Sequence, residues 1–200
     1  MAAASLGLLP ASGIPAPYSI EVAGLATMTA FMNGPVAERE KGTLGLIEFG
    51  ETSSLFAFFH RGSPVLIRKL DRGTNALLDK VEATLGVDRA TANGIISDGS
   101  FDISAATEDV MQPLVRQLVV SRDFVERREN CKVDAIYLAG GLAASHDIQN
   151  EISGAMGVDV KTWNPFAGLT VAADALPEEL EGQEWRFAAS AGACMATFEE

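Results

Sequence analysis

The chain has 200 residues, with 27 acidic against 15 basic side chains and a formal net charge of −12. An acidic surface of this kind repels phosphate backbones and anionic headgroups, which argues against nucleic acid or a bare lipid surface as ligand. Hydrophobic residues make up 48% of the chain, enough to pack one domain or one large lobe with a small insertion.

Cys131 and Cys194 give neither a metal-ligand spacing nor a disulfide framework, and His60 and His146 form no cluster. Reduced thiols in a cytoplasmic protein are the expectation. Residues 1–17 lack a basic start and are cut by Pro10, Pro15 and Pro17, which reads against a signal peptide. No stretch reaches the ~18 apolar residues of a membrane span, so any membrane association is expected to pass through a partner.

In chain order, residues 18–32 read as an apolar helix with Val22, Leu25, Thr29 and Met32 on one face, stopped by Asn33-Gly34-Pro35. Residues 43–49 read as a buried strand and residues 50–52 as a turn. "SSLFAFFH" is a second strand, Arg61-Gly62 a hairpin turn, and "SPVLIRKL" a third strand. A helix opens at Gly73 or Thr74, with Leu77, Val81 and Leu85 inward and Gly86 as its stop.

Residues 87–106 suit a small excursion or short helices. A long helix then runs to about Asn130, with Val110, Leu114, Leu118 and Val125 inward and Pro113 starting or kinking its regular part. Residues 133–139 form another buried strand ended by Gly140-Gly141. Ser145 is placed to cap a helix with Ile148, Ile152 and Met156 inward, and Gly157 ends it. "VDVKTW" is a short strand. The last helix, about 184–198, carries the small-residue run "AASAGACMA", which suits very close packing against a neighbour.

Three meandering strands followed by helix, insertion, helix, strand, helix, strand, helix is the order of a ribonuclease-H-like α/β fold. The expected architecture is a mixed sheet with helices on both faces. Residues 1–43 form an N-terminal segment with a connecting helix, and residues 44–200 the lobe, with its insertion at about 87–106. The arginines 122, 127 and 128 alternate with acids and read as a solvated helix face.

Two strands end in glycine turns, "IEFGETSS" and "YLAGGLAAS". Glycine lets a backbone approach a ligand closely, and free amides at such turns attract anions. Ligands of open α/β sheets sit beyond the carboxyl ends of the strands. If residues 44–49 and 133–139 lie adjacent and parallel, both turns share one rim. Each turn alone reads equally as an ordinary connection.

The stretch "LGLIEFGETSSLFAFFHRGSPVLIRKL" resembles the second phosphate segment of the actin, sugar-kinase and heat-shock-chaperone superfamily, closest to its PilM and FtsA branch. "LDRGTNALLDKVEATLGVD" and "DAIYLAGGLAASHDIQNEISGAMGVDVKTWNPFAGL" resemble the segments that follow in PilM, the second being the adenosine segment. "SIEVAGLATMTAF" resembles the first connecting helix.

The resemblance implies the C-terminal lobe of an actin-like scaffold of the type IV pilus or type II secretion inner-membrane platform. ATP with Mg²⁺ is its implied ligand and a PilN-type tail its implied partner. Residue by residue, Glu48 falls at the metal-linked carboxylate, and Gly50, Thr52 and Ser53 at the phosphate cradle. Gly140 and Gly141 fall at the nucleoside, and Glu21 at the position that places water or metal. Trp163, Asn164 and Phe166 read as core or loop anchors.

Glu48 replaces the usual aspartate, Leu142 replaces a third glycine and would crowd the nucleotide, and no first phosphate loop is present. These departures leave a degenerate interaction module without nucleotide as an alternative, with a fragment of a superfamily kinase behind it.

Overall fold

Strand β1 (Thr43–Phe49) is apolar on both sides, as a strand covered on two faces must be. The computed structural model describes residues 22–172 and 180–198. In it β1 is the centre of a five-stranded sheet of order β3-β2-β1-β4-β5. It pairs antiparallel with β2 (Ser54–His60), which pairs antiparallel with β3 (Ser63–Leu70) through a hairpin at Arg61-Gly62. Both turn residues have positive φ (50° and 81°), the geometry whose twist matches the flanking strands. On its other side β1 runs parallel to β4 (Ala135–Gly140), which runs parallel to the short edge strand β5 (Asp159–Thr162). The sheet is mixed, as the sequence predicts.

β4 begins two residues after the predicted start. Glu126 accepts the Val133 amide at 3.0 Å, and Asp134 exchanges bonds with Thr43, its carboxylate accepting the Thr43 amide at 2.7 Å. These contacts fix where parallel pairing begins.

One sheet face carries Ile47, Phe56, Phe58, Ile136 and Leu138. Four helices cover it: α2 (Thr74–Leu85), α3 (Arg89–Asp98), α4 (Ser104–Glu129) and α5 (His146–Met156). The expected excursion at 87–106 resolves into α3, whose N-terminus Asp88 caps by accepting the Thr91 amide at 2.8 Å. Pro113 lies inside α4, which continues through it. Leu85, expected inward on α2, stands at the solvent edge, and Leu78 is buried beside Leu77 and Val81 instead.

The opposite face carries Leu44, Leu46, Phe59 and Tyr137 beneath α1 (Ala23–Phe31) and α6 (Ala188–Phe198). The edges of Phe31 and its neighbours meet there: its ring centroid lies 5.2–5.4 Å from those of Phe59, Tyr137 and Trp163. Trp163 is therefore core, as expected. Asn164 accepts the Phe166 amide at 2.8 Å and holds that loop, and Phe166 packs on Phe187. Asn33-Gly34-Pro35 does not stop the first helix. It widens into a π-helical turn, Met32–Val36, kinked at Gly34.

The predicted face of α1 is reversed. Val22, Leu25 and Met32 point outward, while Ala26, Thr27, Met28, Ala30 and Phe31 are buried. Close approach of α6 explains this, because only small side chains fit between the two backbones. A Cβ on Gly192 would lie 1.7 Å from the carbonyl oxygen of Ala26. Gly192→Val is expected to lower unfolding free energy by on the order of 3 kcal/mol, the cost of overpacking without room to relax. The exposed change Ser190→Ala on the same helix should leave it unchanged. Urea denaturation of both variants measures the difference.

Candidate functional site

Register brings the two glycine turns together. β1 and β4 pair from Leu44↔Ala135 to Phe49↔Gly140, so both strands end at one rim. Gly140 has φ +85°, and a Cβ there would sit 2.2 Å from the Phe49 carbonyl oxygen, so no other residue fits without strain. The next amide, of Gly141, donates to that same oxygen at 3.1 Å.

The turn after β1 is tied to α2. Gly50 donates to the Ser53 carbonyl at 3.1 Å, and its own carbonyl accepts from the Thr74 amide at 2.9 Å and the Thr74 hydroxyl at 3.1 Å. Asn75 donates its backbone amide to the Glu51 carbonyl at 3.0 Å. The amides of Gly50 and Gly141 are thus spent on holding the rim together rather than left bare. Those of Glu51, Thr52 and Ser53 donate to no group among the described residues.

Above this rim opens a cleft of about 630 Å³, within the size range of small-molecule sites. Gly141, Thr74 and Asn75 form its floor, Asn93, Ile96 and Ser97 of α3 one wall, and Glu51, Trp185 and Arg186 line the rest. Arg89 positions the α3 wall. It donates to Glu82 and to the Asn75 side chain at 2.7 Å each, and also to Asp79, lashing α3 to α2.

Ser145 lies in this cleft, nearly buried, and its hydroxyl bonds no group among the described residues. It holds the N-cap position of α5 but makes no side-chain cap; its carbonyl accepts the Gln149 amide at 3.0 Å. The Ser145 hydroxyl is not among the buried unpartnered atoms; it opens to the cleft, where a polar ligand can reach it. With apolar Leu78, Ile96 and Trp185 beside the amides of Asn75 and Asn93, the lining suits a nucleoside.

The residues singled out from sequence separate. Gly141 lines the cleft, and a Cβ there would point at the Thr74 hydroxyl, 3.1 Å away. Gly140 and Gly50 support it through the backbone. Thr52 is exposed at the turn tip and Ser53 half-buried; Glu51 is the residue of this turn that reaches the cleft wall. Leu142 does not crowd the site, because it is buried in the core beneath α5.

Glu48 belongs to the other face. Its carboxylate accepts from the Thr27 hydroxyl of α1 at 2.9 Å and lies near Gly24. Glu21 is outside the described residues. No group of three or more His, Cys, Asp or Glu side chains suited to a metal exists among the described residues.

Thr74, Asn75, Asn93, Ser97 and Trp185 were not legible as site residues. The Gly73-Thr74 helix start after β3 is the one signal in the sequence that marks two of them. Ser145 carries a capping signal in the sequence, not a site signal.

A family model, "Type IV pilus assembly protein PilM", matches residues 10–198. The chain belongs to that family. Among curated proteins none matches the sequence.

Solved structures show the fold to be actin-like. A PilM–PilN type IV pilus biogenesis complex superposes with TM-score 0.75 at 19% identity, covering 90% of this chain and 53% of that one. Ta0583, an archaeal actin homologue, gives 0.57 at 14%, covering 90% and 56%. MreB 5 of Spiroplasma citri bound to AMPPNP gives 0.57 at 10%, covering 85% and 57%. The chain thus spans a little over half the length of these structures. No helix among its described residues is long and apolar enough to cross a membrane.

Burial pushes the Glu48 carboxyl above its ordinary value of 4.5, against the pull of the Thr27 hydroxyl, which favours ionisation. The folded state therefore keeps a proton that the unfolded state has lost. Stability falls as pH rises from 4.5 through the raised folded value, and stays lower above it. Glu48→Gln, which keeps an acceptor for Thr27, should be more stable than the parent protein at neutral pH. The difference should fade below pH 4.5, as thermal melts across the acid range would register.

Proposed function

We propose that this chain is the second, C-terminal lobe of an actin-like PilM protein, a nucleotide-responsive scaffold of the type IV pilus or type II secretion inner-membrane platform. One observation carries the reading: in a chain of the PilM family, a nucleoside-sized cleft lies beyond the carboxyl ends of parallel β1 and β4, between the two glycine turns. ATP with Mg²⁺ is the ligand we assign. Bound nucleotide would supply phosphate charge at the rim.

The protein's own contribution is positional. Ser145, Asn75 and Asn93 offer hydrogen bonds, Ile96 and Trp185 an apolar wall, and Arg186 a cation. One similar solved structure is of a PilM–PilN complex, which supports a PilN-type cytoplasmic tail as partner. Through such a partner the protein would sit in the cytoplasm, peripheral to the inner membrane.

A specific observation favours a second reading, an interaction module that has lost its nucleotide. Two rim amides are already bonded within the protein, and Glu48 faces Thr27 rather than the cleft. A kinase would need a base poised at an acceptor hydroxyl. Glu51, the acid on the described cleft wall, is exposed and accepts from the Asn75 side chain at 3.3 Å.

Calorimetric titration of the full-length protein with ATP and Mg²⁺ separates these readings. Gly141→Arg fills the cleft floor beside Thr74 and should abolish the heat of binding. Binding that survives the change removes the cleft assignment. A parent protein that gives no heat leaves the interaction module standing.

A further inference from the structure

The outward side of α4 holds a surface that the fold does not use. Arg116, Val120, Phe124 and Arg127 recur at a spacing that puts them on one stripe, while Leu114, Leu118 and Val125 of the same helix are buried against the sheet. Val120 is 56% and Phe124 48% exposed. The Arg128 guanidinium lies over the Phe124 ring, 5.2 Å from its centroid, which flattens the aromatic side chain against the helix. A shallow hollow of about 540 Å³ opens among Val120, Phe124, Arg127 and Arg128.

Charge decides what fits there. The chain carries 27 acids against 15 bases, so an arginine that forms no ion pair is unexpected. Yet on this side three stand that way. Arg127 makes no hydrogen bond or ion pair among the described residues. Arg116 bonds neutral Gln112, and Arg68, reaching across from β3, bonds neutral Gln117 at 3.2 Å. The acid at the hollow, Asp123, is already paired with Arg122 at 2.8 Å.

From this juxtaposition of exposed Val120 and Phe124 with unpaired arginines, we propose that the outer face of α4 docks an acidic amphipathic helix of a partner protein. An apolar side chain of that helix would cover Phe124, and carboxylates on either flank would meet Arg116 and Arg127. An anionic membrane is the poorer occupant, since three arginines must overcome the repulsion of a −12 chain, whereas a short helix brings only its own few charges. The hollow shares no lining residue with the rim cleft, so the proposal stands whether or not nucleotide binds.

The test uses the full chain and a fluorescently labelled helical peptide with a Leu/Phe stripe flanked by glutamates, together with a twin in which lysines replace the glutamates. Fluorescence anisotropy should report binding of the glutamate peptide alone, weakening as salt rises. Arg116→Glu with Arg127→Glu should weaken it by about tenfold or more and let the lysine twin bind in its place. Phe124→Ser should weaken both pairings. Because all three positions are exposed, unchanged melting curves would establish that the variants fold.

The proposal is overturned if neither peptide binds, if both bind equally, or if charge reversal leaves glutamate-peptide binding intact. It also falls if phosphatidylglycerol vesicles bind at this face while the peptide does not. A concentration-dependent dimer, seen by sedimentation and abolished by Arg127→Glu, would replace the partner with a second copy of the chain.

Discussion

The parallel pairing of β1 with β4 is the constraint on which the remaining architecture turns. Because the two strands run the same way and end level, at Phe49 and Gly140, the chain must leave both on the same side of the sheet. That rim then has to hold two turns and the start of α2 within a few ångströms. Gly140 makes this possible by passing directly over the Phe49 carbonyl. The hydrogen bonds of Gly50, Thr74 and Gly141 complete a braced edge, so the rim is rigid before any ligand arrives.

From this edge the two faces of the sheet take different tasks. Helices α2 to α5 bury the larger apolar cluster and raise the cleft walls, with Arg89 fixing α3 against α2. Helices α1 and α6 seal the other face around Phe31. Glu48 is the one acid of β1 and falls on this second side, where an aspartate-like role at the rim would require the opposite strand parity. Its presence there costs stability that a neutral side chain would not.

Much of the fold could be read from residue order. The three central strands are legible because they are apolar on both sides and bounded by turn residues, and the helix stops at Gly86 and Gly157 because left-handed caps favour glycine. The reversed face of α1 was not legible. Hydrophobicity alone ranks Leu25 and Met32 above Ala26 and Ala30, and the rule inverts only once the steric demand of Gly192 is known.

The site was half legible for a similar reason. Glycine turns advertise close backbone approach, so Gly140 and Gly141 could be found. Asn75 and Asn93 are ordinary helix residues and Ser145 an N-cap residue, whose meaning comes from three helices converging. Leu142 misled because its side chain, read in line, points at the ligand, while in space it turns into the core.

The contact between Gly192 and Ala26 joins the first and last helices that the structure describes. A chain fastened in this way behaves as a closed hoop. Peeling away either helix must break the same seam and at once expose the aromatic cluster beneath. Neither helix can therefore loosen without the other, and the sheet's second face is kept or lost as a single cooperative unit.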